Sequence, residues 1–252
     1  MLAVDSLDVS VAGRRLVAGL TFTAHPGEFA CVLGANGAGK SLTLHTLAGL
    51  RPPSAGSVSL DGRALGAWPR RERARRLGLL TQVTEDPFPG TVFDAVLVGR
   101  HPHLELYQWE TEHDLEVAHR VLAQCELDGF AARAIDTLSG GERRRVALAA
   151  VLAQDPDVLL LDEPHNHLDP HHQLDVLRLL RARADAGHAV LATLHDPALA
   201  ARFADKALLL FGDGRWEYGP TAEVLTAESL SAIYRVEIRE VQVEGRRIFL
   251  SD

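Results

Sequence analysis

One glycine-rich segment constrains this chain more than any other feature of its sequence. Residues 34–41 read G-A-N-G-A-G-K-S and match the pattern G-x-x-x-x-G-K-[ST]. A short, continuously apolar run, residues 29–33, comes before it, and apolar residues at helical spacing follow it until Pro52-Pro53. A strand buried on both faces, a glycine loop and a helix are therefore predicted in that order. In this setting the pattern is typical of a phosphate-binding loop.

The loop predicts how the phosphates of a nucleotide would be held. Glycines let the backbone curl so that several N–H groups face one phosphate, and the start of the helix adds the positive end of its dipole. We expect Lys40 to reach the β- and γ-phosphates and the Ser41 hydroxyl to bind Mg²⁺. The predicted nucleotide-binding residues of this segment are Gly34, Asn36, Gly37, Gly39, Lys40, Ser41 and Leu42.

A second candidate feature is a pair of acidic residues after an apolar run. Residues 158–161 read V-L-L-L and are followed by Asp162 and Glu163. Because neighbouring residues of a strand point to opposite faces, the two acids are predicted to have different roles. Asp162 is expected to hold Mg²⁺, and Glu163 to take a proton from an attacking water as a general base. An acidic pair can also simply end a strand, but a phosphate loop in the same chain favours the functional interpretation.

A third motif gives the chain a family resemblance. Residues 138–142 read L-S-G-G-E and precede a helix-like stretch that runs to Gln154. A hydroxyl and free N–H groups at a helix start can bind an anion, although Ser-Gly-Gly by itself more often only caps the helix. With a phosphate loop before it and the Asp-Glu pair after it, the chain resembles the ABC-transporter ATPases over essentially its whole length.

The resemblance assigns roles to further residues. Gln82 matches the family's glutamine that contacts Mg²⁺ and the attacking water, and His195 matches the histidine that touches the γ-phosphate. Asp169 matches the aspartate that communicates across a dimer. ATP and Mg²⁺ are the implied substrate and cofactor. The predicted catalytic residues are Glu163, His195 and Gln82, and the predicted Mg²⁺ ligands are Ser41, Gln82 and Asp162.

The resemblance also implies partners. Two copies would pair head to tail, so that Ser139, Gly140 and Gly141 of one copy close over the ATP held by Lys40 of the other. Polytopic permease subunits would dock on a helical subdomain, residues 84–136, and on the Gln82 loop. A periplasmic or extracellular substrate-binding protein would act indirectly. We therefore expect the chain to be a peripheral protein on the cytoplasmic face of the inner membrane.

The pattern of apolar residues predicts an α/β fold in a single domain, residues 1–252. Residues 7–11 and 20–24 indicate antiparallel strands, and buried strands at 158–161 and 189–193 alternate with helices, which implies a parallel sheet. The resemblance makes this a P-loop NTPase (RecA-like) core. A tail, residues 220–252, is predicted to hold a helix and a hairpin around Glu244-Gly245. In the helical subdomain the predicted apolar stripe is Leu115, Ala118, His119, Leu122 and Ala123.

Composition and charge narrow the class of protein. Twenty-six basic and 34 acidic residues give a net charge of −8, which argues against nucleic acid as a partner. The apolar stretches are far shorter than the ~20 residues that span a bilayer. The N-terminus reads M-L-A-V-D-S-L-D and does not match a secretory signal. Cys31 and Cys125 are expected to be buried free thiols, which fits a reducing cytoplasm.

Three positions depart from the family pattern. Val11 stands where relatives carry an aromatic residue that stacks on adenine, so base stacking is expected to be weaker or supplied elsewhere. Leu42 stands where threonine is usual, which removes one hydroxyl near the phosphates. Arg143 follows the L-S-G-G-E motif where glutamine is common.

Finer matches favour one class of transporter. Residues 98–103, 168–173 and 224–236 resemble those of ATPases from iron-siderophore, haem and cobalamin importers. A zinc or manganese importer is the nearest alternative. A soluble ABC ATPase acting on ribosomes or DNA is less favoured, because those relatives carry two such domains or a long inserted coiled coil. A P-loop kinase or GTPase would not need the L-S-G-G-E motif.

Overall fold

The structure, a computed structural model, describes residues 1–82, 90–105 and 107–251. Its strands are Leu2–Val11 (β1), Arg14–Ala24 (β2), Phe29–Gly34 (β3), Ala55–Leu60 (β4), Arg63–Ala64 (β5), Leu77–Leu80 (β6), Val158–Leu161 (β7), Ala189–Thr193 (β8), Lys206–Leu210 (β9), Trp216–Pro220 (β10), Ile238–Val243 (β11) and Arg246–Ser251 (β12). Its α-helices are Lys40–Leu47 (α1), Arg70–Arg76 (α2), Val92–Leu97 (α3), Glu112–Gln124 (α4), Gly140–Ala153 (α5), Pro170–Asp185 (α6), Pro197–Phe203 (α7), Thr221–Val224 (α8) and Ala227–Tyr234 (α9).

An antiparallel sheet with the strand order β2-β1-β4-β5 forms one layer. Strands β1 and β2 pair from Leu2 opposite Ala24 to Val11 opposite Arg14. The two-residue turn between them, Ala12-Gly13, has positive φ at both residues, as the tight hairpin turn that suits twisted strands requires. The prediction of antiparallel strands here is confirmed, and both strands are longer than predicted.

The central layer is a sheet with the strand order β10-β9-β3-β8-β7-β6. Its strands run parallel except β10, which pairs antiparallel to β9 at one edge. Every residue of β3, β7 and β8 is buried, as expected for strands covered on both faces. The predicted parallel sheet is thus confirmed, and the predicted bounds of β7 and β8 agree with the structure.

Successive residues of the central strands pack into two different apolar cores. In β3, Phe29, Cys31 and Leu33 belong to the core that includes residues of α4, α5 and α6. Ala30 and Val32 belong to the core that includes α1 and the antiparallel sheet. The central sheet is therefore covered by helices on one side and by α1 with the antiparallel layer on the other. Its carboxyl-terminal edge carries the loops described below.

Helix α4 turns a different face to the core than the sequence analysis predicts. Ala118 and Leu122 are buried as expected, but Leu115 is 38% exposed. His119 and Ala123 are exposed as well. The buried face is Asp114, Val117, Ala118, Val121 and Leu122. The predicted stripe is wrong because the buried face includes Asp114, whose carboxylate accepts a hydrogen bond from the buried guanidinium of Arg100, and apolar spacing does not reveal such a partner.

The C-terminal segment agrees with the prediction of a helix and a hairpin. Strands β11 and β12 pair antiparallel around Glu244-Gly245, and both turn residues have positive φ.

Cys31 and Cys125 are buried free thiols, as expected. Among the described residues, no helix has both the length and the apolarity needed to cross a bilayer. Of the predicted helical subdomain, residues 84–89 lie outside the described residues.

Candidate active site

The glycine loop links β3 to α1 with a backbone that only glycine adopts easily. Gly37 and Gly39 have φ values of 78° and 100°, in the left-handed region. At Gly34 the constraint is space, because a Cβ there would lie 2.7 Å from the carbonyl oxygen of Leu210. Gly39 is the N-cap of α1 and offers no side chain to its first N–H groups. These N–H groups are therefore open to an anionic ligand.

Lys40 is the first residue of α1, and its side chain turns back onto the loop. The residue is only 7% exposed. Its Nζ donates hydrogen bonds to the carbonyl oxygens of Gly34, at 2.7 Å, and Ala35, at 3.4 Å. Burial lowers the pKa of Lys40, and the negative charges of Glu163 and Asp162 oppose that shift. The ammonium group is thus held between the loop and the two acidic residues.

A cavity of about 840 Å³ lies over the loop and brings together residues that are distant in sequence. We call it the loop cavity. The predicted site residues that line it are Asn36, Gly37, Gly39, Lys40, Ser41, Leu42, Gln82, Glu163 and His195. It is also lined by Val11, Ala12, Arg14, Leu16 and Asn166. Gly34 is not among the lining residues, and contributes the carbonyl oxygen that holds Lys40.

Glu163 points into the loop cavity because of its own backbone conformation. Strand β7 ends at Leu161, before either acidic residue, so strand alternation is not what separates Asp162 from Glu163. Instead, Glu163 has a φ of 50°, which is uncommon for a residue with a side chain. Its N–H donates a hydrogen bond of 2.7 Å to Thr193 Oγ1, which fixes this turn to the end of β8.

Three side chains donate hydrogen bonds to the Glu163 carboxylate. Oε2 accepts from Gln82 Nε2 at 3.0 Å and from Asn166 Nδ2 at 2.7 Å, and His195 Nε2 lies 2.6 Å from Oε1. Burial raises the pKa of Glu163, but the hydrogen bonds and the neighbouring His195 outweigh it and hold the pKa below its usual value. Glu163 is therefore ionised at neutral pH.

Asp162 has the surroundings expected of a cation ligand. It is fully buried, and its Oδ1 accepts a hydrogen bond of 2.7 Å from Thr193 Oγ1. Its Oδ2 is also buried and has no hydrogen-bond partner among the residues that the structure describes. An unpartnered buried carboxylate oxygen is costly unless a cation or water satisfies it. Together with the Ser41 hydroxyl, this oxygen offers the hard ligands that Mg²⁺ prefers.

A second cavity, of about 660 Å³, holds the other predicted binding residues. We call it the signature cavity; its lining includes Ser139, Gly140, Gly141 and Asp169. Ser139 caps α5, and its Oγ accepts from the Glu142 N–H, so the hydroxyl proton remains available to an anion. Asp169 caps α6 and accepts from the backbone N–H of His172, and this lowers its pKa.

The structure thus places most of the predicted residues in two separate cavities, whereas Gly34 and Asp162 line neither. Among the described residues, none lines both. Sequence reasoning missed Asn166 and Thr193, which position the two acidic residues. Asn166 has a signal in the sequence, because a polar residue three positions after Glu163 can return to it within one turn. Thr193 has none, since it meets Asp162 only through the pairing of β7 with β8.

Comparisons with known proteins agree with this geometry. A family model described as "ABC transporter" matches residues 17–166, more than half of the chain. The chain belongs to the ABC transporter family. A hemin import ATP-binding protein of Pseudomonas entomophila is 42% identical over 243 residues, covering 94% of each chain. Another, of Nocardia farcinica, is 40% identical over 251 residues, covering 99% of this chain and 86% of its own.

Solved structures show the same relationship. A metal-chelate type ABC transporter, in an inward-facing conformation, is 29% identical with a TM-score of 0.85, and the match covers 100% of this chain and 97% of that chain. The chain is therefore an ABC ATPase, a protein that binds and hydrolyses ATP. The fold class predicted from its motifs is confirmed.

The structure shows what surrounds the three residues at which this ABC ATPase departs from the family pattern. Val11 is 41% exposed and lines the loop cavity beside Ala12, Arg14 and Leu16, so the described residues of this corner offer a guanidinium and no aromatic ring. Leu42 lines the same cavity. Arg143 donates hydrogen bonds to the carbonyl oxygens of Leu138 and Asp136, and so braces the segment that leads into Ser139.

Proposed function

We propose that this chain is the ATP-hydrolysing subunit of an importer for an iron chelate of the haem class. It would act as a homodimer on the cytoplasmic face of the inner membrane, bound to polytopic permease subunits that receive cargo from a substrate-binding protein. The whole chain, residues 1–252, would form one ABC domain. Its helical subdomain would span about residues 84–136 and its tail about residues 220–252.

The observation that carries the proposal is the division of the site between two cavities. The loop cavity holds Lys40 and Glu163, and the signature cavity holds Ser139 and Gly141. Neither is complete for phosphoryl transfer, because Ser139 and Gly141 do not line the loop cavity, and Lys40 and Glu163 do not line the signature cavity. A head-to-tail pair with two-fold symmetry would place each cavity against its complement and so form two complete sites.

Within one complete site, the residues of this chain would divide the work of hydrolysis. Backbone N–H groups of residues 37–41 and the Lys40 ammonium would bind the β- and γ-phosphates. Ser41, Gln82 and Asp162 would hold Mg²⁺. The bound Mg²⁺ supplies positive charge to the phosphates. Ser139 and the N–H groups at the start of α5 in the other copy would bind the γ-phosphate from the opposite side.

Proton transfer would fall to Glu163. As a carboxylate it can accept a proton from the attacking water, a role worth ~10²–10⁴-fold in rate. Its oxygens already accept hydrogen bonds from Gln82, Asn166 and His195. The γ-phosphate offers His195 and Gln82 a competing acceptor, so nucleotide binding would release a lone pair of Glu163 for the water.

An exposed aromatic surface supports docking to a membrane partner. Tyr107 is 95% exposed and Trp109 is 85% exposed, and both line a groove of about 520 Å³ beside α2. Large aromatic side chains in a groove on the surface of a soluble domain are typical of protein interfaces. The groove lies between α2 and residues 101–110 of the predicted helical subdomain, where permease subunits are expected to dock.

The cargo is proposed from the relatives. The hemin import proteins match 94% and 99% of this chain, and the structural relative is of the metal-chelate type. These matches favour haem over free zinc or manganese, with iron-siderophore complexes and cobalamin as the next candidates. A soluble ATPase that acts on ribosomes or DNA remains the alternative outside transport.

Reconstitution tests the proposal. The chain would be produced with permease subunits encoded beside its gene and incorporated into proteoliposomes with their binding protein. ATP-dependent uptake of haem is expected, and the Glu163→Gln complex serves as the matched control without turnover. Uptake of zinc or manganese instead would overturn the haem assignment. Failure to bind any polytopic partner, with ATPase activity intact, would overturn the transport role.

A further inference from the structure

Arg144 is a buried cation close to both cavities. It has no part in the proposed steps of ATP hydrolysis. It lies on α5, about one and a half turns after Ser139, and is only 5% exposed. Burial lowers the pKa of Arg144, and the charges of Asp162 and Glu163 oppose the shift. A guanidinium stays charged even where burial disfavours it. Such a charge is costly to bury unless oxygen atoms surround it, so its partners are informative.

The partners of Arg144 are backbone oxygens of two segments of the site. Its Nη1 donates to the carbonyl oxygen of Thr81 at 2.5 Å and is 3.4 Å from that of Gln82. Its Nη2 donates to the carbonyl oxygen of Glu163 at 2.9 Å and also to that of Asp162. One planar fork therefore binds the backbone at both the Gln82 loop and the end of β7.

The neighbouring arginines of α5 do not share this arrangement. Arg143 donates to the carbonyl oxygens of Leu138 and Asp136, in the segment before α5. Arg145 donates to those of Cys125 and Glu126, at the end of α4. Among contacts with the residues that the structure describes, the side-chain hydrogen bonds of Arg144 join α5 to Gln82 and Glu163 of the loop cavity, and those of Arg143 and Arg145 go elsewhere.

We propose that Arg144 is a positioning residue that couples the signature cavity of each chain to the Gln82 and Glu163 of its own loop cavity. The inference rests on the proposed dimer. There, Ser139 and Gly141 contact the nucleotide of the other copy, so that nucleotide sets the position of the start of α5. Arg144 transmits this position to the carbonyl groups of Gln82 and Glu163. Hydrolysis at one site then depends on occupancy of the other.

The geometry explains why arginine is suited to this role. Four carbonyl oxygens on two segments need several donors in one plane, and the guanidinium supplies them in a fixed fork. A lysine at this position would keep the charge but offer a single nitrogen, which cannot hold both segments in register. Misplacement of reacting groups by about 1 Å can cost ~10²-fold in rate.

Steady-state kinetics of three variants test the coupling. We expect Arg144→Gln and Arg144→Lys to lower kcat by ~10²-fold, to change KM less than about threefold, and to reduce the Hill coefficient for ATP from above 1 to about 1. The matched control is Arg183→Gln, which removes another partly buried arginine that binds Gln124 and Asp155 and lines neither cavity. The control should keep the wild-type Hill coefficient.

The outcomes separate a positioning role from a structural one. A loss of folded protein alone would lower the active fraction and leave the Hill coefficient unchanged, so a cooperative Arg144 variant overturns the proposal. Arg144→Lys keeps the charge and provides the measurement where Arg144→Gln does not fold. If the wild-type enzyme itself has a Hill coefficient of 1 and stays monomeric with ATP, the proposed dimer fails instead.

Discussion

The hydrogen bonds to Glu163 have two opposite effects, because they keep its carboxylate ionised and weaken it as a proton acceptor. Three donors occupy its oxygens and keep the carboxylate charged. The same donors make it a poor proton acceptor, because each hydrogen bond stabilises the charged form. As the proposed base, Glu163 would therefore become effective only when a ligand draws donors away. Removing its charge should separate nucleotide binding from hydrolysis.

The variant Glu163→Gln tests this separation. The amide keeps the shape and one hydrogen-bond acceptor but cannot take a proton, so we expect ATP binding within about threefold of wild type and turnover lowered by ~10²–10⁴-fold. Phosphate release and nucleotide titration measure the two properties. The control Glu223→Gln changes an exposed glutamate of α8 and should leave both unchanged. Substantial turnover by Glu163→Gln would contradict the role of the base.

The variant Lys40→Ala tests the phosphate loop. Loss of one charge-assisted contact is expected to cost ~2 kcal/mol, or about 30-fold in the Kd for ATP. Calorimetry measures the affinity. The chain has a matched control in its other lysine, because Lys206 binds Glu28 on the surface at 2.6 Å. Lys206→Ala should bind ATP normally, and unchanged affinity in Lys40→Ala would rule out the proposed loop.

At the level of single residues, the sequence predicts those site residues whose positions are determined by motifs of neighbouring residues. The positions of Lys40, Ser41 and Glu163 follow from motifs in which spacing along the chain fixes the geometry. Thr193 and Arg144 could not be assigned this way, because their contacts arise between elements that only the folded sheet brings together. In the sequence Arg144 is the middle one of three consecutive arginines, residues 143–145, and nothing local distinguishes it from its two neighbours.

Among the elements, the strands were predicted better than the helices. β7 and β8 are continuous apolar runs buried on both faces, so no choice of face had to be made. Helix α4 allowed two apolar stripes that share Ala118 and Leu122, and the wrong one was preferred. The choice depends on Asp114, whose carboxylate is turned inward by a partner outside the helix. Periodicity within one element cannot reveal such a partner.

The pair of Arg100 and Asp114 gives a prediction for the stability of this segment. Asp114 Oδ1 lies 2.9 Å from Arg100 Nε, and both side chains are less than a tenth exposed. Asp114→Asn leaves the Arg100 charge buried without its counter-ion, so we expect the free energy of unfolding to fall by ~3 kcal/mol in urea denaturation. Glu116→Gln, an exposed position of the same helix, is the control and should change it by less than ~0.5 kcal/mol.

The same pair predicts a dependence on pH. Burial raises the pKa of Asp114, but hydrogen bonds from Thr111 and Arg100 outweigh it and lower the pKa from 3.8 to about 2. A lowered pKa in the folded state stabilises the protein above pH 3.8. The difference in stability between wild type and Asp114→Asn should therefore be constant from pH 7 to 5 and shrink towards pH 2. A difference that grows on acidification would contradict this assignment.

At the scale of the whole molecule, the proposed dimer would make the two cavities of one chain halves of two different sites. Arg144 on α5 would join these halves within the chain, and each would be completed only by another copy. This arrangement predicts that two inactive variants can complement each other. Lys40→Ala damages the loop cavity alone, and Ser139→Arg places a bulky side chain in the signature cavity alone.

A mixture of these two variants should regain activity that neither has by itself. In a mixed dimer, the intact loop cavity of Ser139→Arg faces the intact signature cavity of Lys40→Ala, so one complete site forms. With random pairing, half of the dimers are mixed and each has one of two sites, which sets a ceiling of about a quarter of wild-type activity. Mixing Lys40→Ala with Glu163→Gln is the control, because both changes damage the loop cavity and no complete site can form. Activity restored only in the first mixture requires a site shared between chains. A failure to complement would contradict it when mixed dimers are detected and ATP is high enough to fill the weakened loop cavity of Lys40→Ala as well.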